Sequence, residues 1–274
     1  ICGRERVPSA LNERDHWTSR GEWAMSCRVT AQNLLRLNTH LRAQNMLIED
    51  AIAMLQLHEV PGKAAKMRTY YKVERVYWGL TTPVLDDQAR QWRQDLSLAD
   101  RLQLAAELWA SNAHEGRICA AKLLTQARIR PDDNAAWQLL QTWLVEVDCA
   151  AICDHLCLAG HRRLSADVTR MDEMAAWPQS LHLWTRRSSL TMTLPWAKMR
   201  NPNAANLAIR ERALGWAAEL AEDPSKIIQQ AVAEWVYELS RKSPERAQGF
   251  LDAHSHKLRN AARRDASRKL PRPA

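Results

Sequence analysis

Apolar residues along this chain recur at the spacing of an α-helix, and this periodicity constrains the fold more than any other feature. From about residue 47 onward, apolar side chains fall at positions i, i+3, i+4 and i+7 in successive windows. A clear window contains Ile227, Ile228, Ala231, Val232, Trp235, Val236 and Leu239. No segment alternates apolar and polar residues convincingly, as a half-buried strand would. The sequence therefore predicts an all-α fold.

Helix-breaking residues divide this periodic sequence into short helices. The breakers are Pro61-Gly62, Pro83, Pro131-Asp132-Asp133, Trp177-Pro178, Pro202, Asp223-Pro224-Ser225 and Ser243-Pro244. Tryptophans recur at intervals approaching the roughly 40–47 residues of HEAT-type repeats. They are Trp109, Trp143, Trp177 or Trp184, and Trp216. We therefore predict a HEAT-like solenoid of stacked helix pairs with a concave face.

The first part of the chain differs from the rest. Residues 1–45 carry many arginines and only weak helical periodicity. We expect them to form a poorly defined N-terminal extension. The HEAT-like domain is predicted to span residues 46–274.

The chain is basic, with 39 Lys and Arg against 31 Asp and Glu and a net charge of +8. This excess suits a polyanionic partner, because basic side chains displace counterions from a phosphate backbone. The C-terminus is especially basic, with Lys257, Arg259, Arg263, Arg264, Arg268, Lys269 and Arg272. That segment is either a solvated tail or a helix that contacts phosphates. We predict a basic concave face that cradles duplex DNA.

The six cysteines include no CxxC pair. On a helix, Cys149, Cys153 and Cys157 would form one stripe. Three thiols near a histidine are candidate metal ligands, but structural zinc sites usually draw their ligands from tighter turns. We predict buried, reduced thiols, no metal site and a cytoplasmic protein. No apolar run approaches the ~20 residues of a membrane span, and we expect no signal peptide at the start, where Arg4, Glu5 and Arg6 interrupt any apolar stretch.

Six segments follow one another in the order of a known family. Residues 67–93 (MRTYYKVERVYWGLTTPVLDDQARQWR) are similar to its tyrosine and lysine followed by GL-x-x-P. Residues 108–124 (LWASNAHEGRICAAKLL) are similar to its LW-x-x-x-x-HE stretch. The other four are residues 142–148 (TWLVEVD), 183–194 (LWTRRSSLTMTL), 228–250 and 257–269. Together they resemble the AlkD-like DNA alkylation-repair family of HEAT-like DNA glycosylases, over about residues 47–270.

The resemblance implies an enzyme that removes cationic N3- and N7-alkylated purines from duplex DNA. Such an enzyme needs no metal and no organic cofactor, and we expect a monomer. The family's catalytic aspartate matches Asp148. Its tyrosine near the lesion matches Tyr70, and its phosphate-facing arginine matches Arg187, with Arg186 beside it. The expected substrate contacts are Tyr70, Trp143, Arg186, Arg187, Glu234 and Trp235.

The chemistry itself calls for a fixed carboxylate. An N7-alkylated purine is already cationic, so it is a good leaving group without a general acid. The sugar becomes oxocarbenium-like as the bond breaks, and a carboxylate beside it stabilises the positive charge. The same carboxylate can orient or deprotonate the attacking water, as in glycosidases. Aromatic faces attract the cationic base through the ring quadrupole.

Each candidate residue also has a structural interpretation. Asp148 precedes a predicted helix start, where aspartate is a good N-cap. Arg187 is otherwise a surface arginine, and the aromatic candidates are otherwise core residues. His114 and Glu115 are expected to pack or cap, and we assign them no chemistry.

Two departures from the family pattern leave other functions open. The family commonly has tryptophan at the positions of Leu144 and Glu234, whereas here Trp143 and Trp235 are each displaced by one residue. One residue turns a helical side chain by about 100°, so these rings face either the core or the DNA. A DNA-binding module that has lost catalysis is therefore an alternative. A third is a scaffold for protein partners, with an apolar or acidic concave face.

Overall fold

The computed structural model describes residues 48–270 and contains twelve α-helices and no β-strand within that range. The helices are α1 (Ile48–Gln56), α2 (Pro61–Tyr71), α3 (Thr82–Asp95), α4 (Leu98–Ala110), α5 (His114–Leu123), α6 (Asn134–Leu144), α7 (Ala150–Ala166), α8 (Leu183–Ala197), α9 (Ala204–Glu219), α10 (Lys226–Ser240), α11 (Pro244–His254) and α12 (Asn260–Ser267). The all-α prediction is confirmed. The extension predicted for residues 1–45 lies outside the described residues, and its boundary stays a prediction.

Several helices begin where the sequence carries start signals. Pro61 and Pro244 occupy the first positions of α2 and α11, where the missing N–H has no intrahelical partner in any case. The side chains of Ser97, Asn203 and Ser225 accept hydrogen bonds from N–H groups in the first turns of α4, α9 and α10. Breakers inferred from the sequence thus mark helix starts as well as loops.

The helices pack in a repeating arrangement. Six of them, α3, α5, α7, α8, α10 and α12, form a row in which each packs against the next. The helices α4, α6, α9 and α11 pack beside α5, α7, α8 and α10 respectively. In α10 the predicted apolar face is buried, because Ile228, Val232, Trp235, Val236 and Leu239 are fully enclosed. These pairs form a helical-repeat fold.

The N-terminal ends of α5, α7, α8 and α10 lie along one edge of the row. In the first turn of α5, Arg117 Nη1 donates to the Glu146 carbonyl, just before α7, at 3.0 Å. His182, just before α8, bonds through Nε2 to the Val147 carbonyl at 3.0 Å. Arg186, in the first turn of α8, pairs with Asp223 before α10 at 2.7 Å. We call this the N-terminal edge.

The loop at residues 72–81, between α2 and α3, is fastened to α5 by a buried carboxylate. Glu115 is fully buried and accepts hydrogen bonds from the N–H groups of Trp78, Gly79 and Leu80 at 3.0, 2.7 and 3.1 Å. Gly79 has φ +75°, and a Cβ there would lie 2.6 Å from the Ala64 nitrogen, so only glycine fits. The GL and HE motifs therefore touch each other.

Replacing Glu115 with alanine should destabilise the protein severely. Three buried N–H groups would lose their acceptor, and we expect the free energy of unfolding to fall by about 3 kcal/mol or more. Urea denaturation measures this change. The matched control is Glu59→Ala at an exposed position, expected within about 0.5 kcal/mol of wild type. Equal stability of the two variants would contradict the proposed role of Glu115.

Candidate functional site

Asp148 lies on the N-terminal edge, in the turn that precedes α7. Its Oδ2 accepts a hydrogen bond from Nη2 of Arg75, which belongs to the loop at residues 72–81. The Arg75 side chain is only 2% exposed, whereas that of Asp148 is 35% exposed. A buried cation therefore holds one oxygen of a carboxylate that still reaches the surface.

The structure argues against the capping interpretation of Asp148. The N-cap of α7 is Cys149, and its side chain makes no capping hydrogen bond. Within residues 48–270, the Asp148 side chain accepts a hydrogen bond from Arg75 alone, and its Oδ1 is buried without a partner. The carboxylate thus satisfies no helical N–H group, and its position needs another explanation.

Ala150, two residues after Asp148 in the sequence, lines a pocket of about 570 Å³, and Asp148 itself is not one of its lining residues. The first turns of α8 contribute Trp184 and Arg187, and α10 contributes Glu234 and Tyr237. The remaining lining residues are Ile227, Gln230, Ala231, Ala233, Glu238, Asp265 and Arg268. The pocket therefore combines aromatic rings with charges of both signs.

Two arginines cover the aromatic rings of this pocket. The Arg187 guanidinium lies 5.9 Å from the Trp184 ring centre, and Nη1 of Arg187 donates to Asp154 at 2.6 Å. The Arg268 guanidinium lies 4.5 Å from the ring centre of Tyr237. Both contacts are within the range of cation–π attraction. Both rings of the pocket are therefore already paired with cations of the protein itself.

The structure separates the expected substrate contacts into three groups. Arg187 and Glu234 line the pocket, and Glu234 is exposed. Tyr70 is 78% exposed at the end of α2, just before the loop that carries Arg75. Trp143 and Trp235 are buried, at 4% and 0% exposure, and offer no surface to a ligand.

The buried tryptophans and Arg186 have buried partners, so we remove them from the candidate site, whereas Arg187 is kept because its partner Asp154 is 53% exposed. The Trp143 ring stacks on that of Trp109 with centres 4.7 Å apart. Arg186 bonds to Asp223 and donates to the carbonyls of Ser180 and Leu181 at 2.8 and 3.0 Å. The one-residue displacement read from the sequence turns both rings into the core.

The cysteines of α7 belong to the core, as expected. Cys149, Cys153 and Cys157 are buried free thiols. Cys157 lies 3.2 Å from the Ser188 hydroxyl, and Cys153 Sγ lies 3.9 Å from Cys157 Sγ. In the part of the chain that the structure describes, no three potential metal-ligating side chains form a group. None of the helices described there is long and apolar enough to cross a membrane.

A family model described as "DNA alkylation repair enzyme" matches residues 51–270. The chain belongs to this family. A search of the curated proteins found no match. The resemblance to AlkD-like proteins that the sequence predicted is confirmed.

Three solved structures of similar fold come from Enterococcus faecalis and Streptococcus mutans. A predicted DNA alkylation repair enzyme from Enterococcus faecalis is similar with a TM-score of 0.66 at 16% identity, over 79% of this chain and 98% of its own. AlkD2 from Streptococcus mutans is similar with a TM-score of 0.55 at 16% identity, over 78% and 99%. The structure of smu.31 from Streptococcus mutans UA159 gives a TM-score of 0.55 at 15% identity, over 76% of this chain and 98% of its own. At these identities the likeness concerns the fold.

In this member of the alkylation-repair family, sequence reasoning missed Arg75. Nothing in the local pattern marks it, because its partner Asp148 is 73 residues away. Glu115 was recognised only as a packing or capping residue, although it fastens the loop that carries Arg75. The sequence signal that could have indicated this role of Glu115 was the pair of motifs GL and HE, but only the fold shows that they are in contact.

His114 lies in the core next to this loop. Its ring centre lies 4.5 Å from that of Tyr71 and 5.1 Å from that of Tyr77. The main-chain N–H of His114 donates to the Val76 carbonyl at 2.9 Å. Burial, and then the charge of Arg75, lowers the pKa of His114 to about 4. His114 is therefore neutral in the folded protein, and this family member uses it for packing.

The protein should lose stability as the pH falls from about 6.5 to about 4. The unfolded chain binds a proton on His114 in this window and the folded chain does not, so protonation favours unfolding. His114→Phe should reduce the slope of the free energy of unfolding against pH by about one proton. Urea titrations across the window measure it, with His58→Phe at an exposed position as the control. An unchanged slope in His114→Phe would contradict the buried neutral state.

Proposed function

We propose that this protein is a monofunctional DNA glycosylase that excises cationic N3- and N7-alkylated purines from duplex DNA. The observation that carries the proposal is the Asp148 carboxylate, held by buried Arg75 and partly exposed on the N-terminal edge. Such a carboxylate is oriented before substrate arrives, which is what electrostatic stabilisation of a transition state requires. Family membership supports a repair reaction on alkylated DNA.

The proposed reaction is hydrolysis of the N-glycosidic bond. The bond between C1′ and the base nitrogen breaks, and its electron pair moves onto the cationic purine, which leaves neutral. Asp148 stabilises the positive charge that develops on the sugar. The oxygen of a water molecule then bonds to C1′, and its proton passes to the carboxylate or to solvent. A cationic base needs no acid to leave, so this residue set suits N3- and N7-alkylated purines.

The pocket next to Ala150 supplies the remaining contacts of the proposal. The half-buried ring of Tyr237 offers an aromatic contact and exposed Glu234 offers a negative charge to a cationic base, whereas Trp184 is only 9% exposed. Arg187 is the proposed contact to a phosphate beside the lesion. Tyr70, exposed at the end of α2, is proposed to face the DNA on the other side of Asp148. We also propose that the protein acts as a monomer.

A DNA-binding module without catalysis is the second candidate, and two observations favour it. Trp143 and Trp235 are buried, so the aromatic contacts expected of them are absent from the site. Glu234 carries a negative charge where phosphates would repel it. The two candidates predict the same affinity for DNA and differ only in excision.

Asp148→Asn should abolish most excision and leave binding intact. Asparagine has nearly the same shape, so the large changes are the loss of the carboxylate charge and of the ionic partner of buried Arg75. We expect release of 7-methylguanine to fall by about 10²-fold or more, as for loss of a preorganised electrostatic group. Affinity for duplex DNA should hold or rise, because a negative charge near phosphates is removed. Single-turnover excision, duplex binding and thermal melting are measured together.

The matched control is Asp172→Asn, whose side chain is 80% exposed and pairs with Arg212. A duplex that contains uracil tests the mechanism, because a neutral base needs protonation before it can leave. Efficient uracil release would contradict the mechanism. Full excision by a well-folded Asp148→Asn variant would remove Asp148 as the catalyst. A wild-type protein that binds DNA without excising 7-methylguanine would support the binding module.

Basic side chains of the C-terminal segment should give the affinity for DNA its salt dependence. Arg264 and Lys269 are exposed, and no ion pair is recorded for either among residues 48–270. The logarithm of the binding constant falls with the logarithm of salt concentration by about 0.9 for each phosphate neutralised. Replacing both residues with alanine should therefore flatten this slope by almost two units. Fluorescence anisotropy with an undamaged duplex measures it.

The control for this measurement is Arg90→Ala on α3, an exposed arginine that already pairs with Asp87 at 2.7 Å. Its slope should equal that of wild type. A wild-type slope in the variant that lacks Arg264 and Lys269 would mean that the C-terminal segment is a solvated tail. Arg186, fastened within the protein, is no longer expected to contribute to the slope.

A further inference from the structure

We propose that Arg75 is a positioning residue that fixes the Asp148 carboxylate for excision. The inference rests on the proposed function, and it adds a residue that no sequence motif indicates. Its direct basis is the hydrogen bond from Arg75 Nη2 to Asp148 Oδ2, between a side chain that is 2% exposed and one that is 35% exposed.

Arg75 differs from the buried arginines that serve the fold. Arg117, Arg163, Arg170 and Arg210 each donate to at least one main-chain carbonyl, and so fasten loops and helix ends. Within residues 48–270, Arg75 donates to no carbonyl, and its Nε and Nη1 have no partner. Its hydrogen bonding in this range is directed to the one carboxylate. If Arg75 served only to stabilise the loop at residues 72–81, we would expect it to donate hydrogen bonds to carbonyl groups of that loop.

The position of Arg75 is itself fixed by its surroundings. Two residues along the chain, the Tyr77 hydroxyl donates to the Val73 carbonyl at 3.1 Å. The Val76 carbonyl accepts from the N–H of His114 at 2.9 Å. The loop is then fastened at residues 78–80 by Glu115. The guanidinium therefore projects from a rigid backbone, as a group that orients another must.

The ion pair fixes the orientation of the Asp148 carboxylate, whose Oδ1 is buried without a partner. Because Oδ2 is engaged by Arg75, rotation of the carboxylate about the Cβ–Cγ bond is restricted. A carboxylate in one orientation stabilises a developing charge without reorganising when the bond breaks. The buried guanidinium has little access to water, so losing its partner is costly and the pair is retained. Misplacement by about 1 Å of a group that acts on a reaction can reduce the rate by about 10²-fold.

The test compares Arg75→Met with wild type in single-turnover release of 7-methylguanine. We expect excision to fall by about 10²-fold, with affinity for an undamaged duplex within about twofold, because Arg75 is too buried to touch DNA. In the double variant with Asp148→Asn, excision should equal that of Asp148→Asn alone, since the two residues act as one unit. Effects that multiply would indicate independent roles and overturn the proposal.

A second variant gives a readout that a purely structural role would not produce. Arg75→Ala leaves a space where guanidinium itself can bind. Low concentrations of guanidinium chloride should restore part of its excision, compared with sodium chloride at the same ionic strength. The same addition should not restore excision by Asp148→Asn. Absence of any restoration in a folded Arg75→Ala variant would overturn the proposal.

The matched control is Arg101→Met, another buried arginine with a single side-chain partner, Oε1 of the Gln126 amide at 2.5 Å. It should lower the melting temperature without changing excision per folded molecule. Full excision by Arg75→Met would overturn the positioning role alone. A wild-type protein that excises nothing would instead overturn the proposed function, and the positioning role with it.

Discussion

The buried carboxylate of Glu115 is the contact on which the candidate site depends. By accepting three main-chain N–H groups, it fastens the loop between α2 and α3 to the start of α5. That loop carries Arg75, which in turn holds Asp148 before α7. Burying the Glu115 carboxylate is costly in free energy, but it fixes the loop whose Arg75 holds the partly exposed Asp148 side chain in place. Site geometry and fold stability therefore share one hydrogen-bond network.

The row of helices explains how residues far apart in the sequence meet at this edge. The N-terminal ends of α5, α7, α8 and α10 are joined by side chains that reach from one turn to the next, namely Arg117, His182 and Arg186. Helix N-termini carry partial positive charge, which favours phosphates nearby. Arg186, which the sequence predicted to bind DNA, instead joins the start of α8 to Asp223 before α10.

The sequence predicted the helices well and the side-chain partners poorly. Periodicity and breakers gave the all-α fold, and the buried face of α10 followed from Ile228, Val232 and Trp235. Asp148 and Arg187 were found by resemblance, since spacing alone favoured a cap and a surface arginine. Arg75 was missed because an ion pair across 73 residues has no local signature. The sequence did not determine whether the Trp143 ring faces the core or the DNA, because a shift of one residue along the helix changes its direction. In the structure the ring stacks on Trp109 in the core.

Glu234 is the residue at which the charge of the pocket decides between the two candidate functions. The Glu234 carboxylate would repel a nearby phosphate and weaken DNA binding. Beside a cationic purine the same carboxylate would attract the base and strengthen binding. Trp184 and Tyr237 line the same pocket, and each already lies against an arginine. A ring and a carboxylate that face one space attract a planar cation more than either group alone. The charge of Glu234 thus suits a cationic base better than a phosphate, which supports the proposed glycosylase over the binding module.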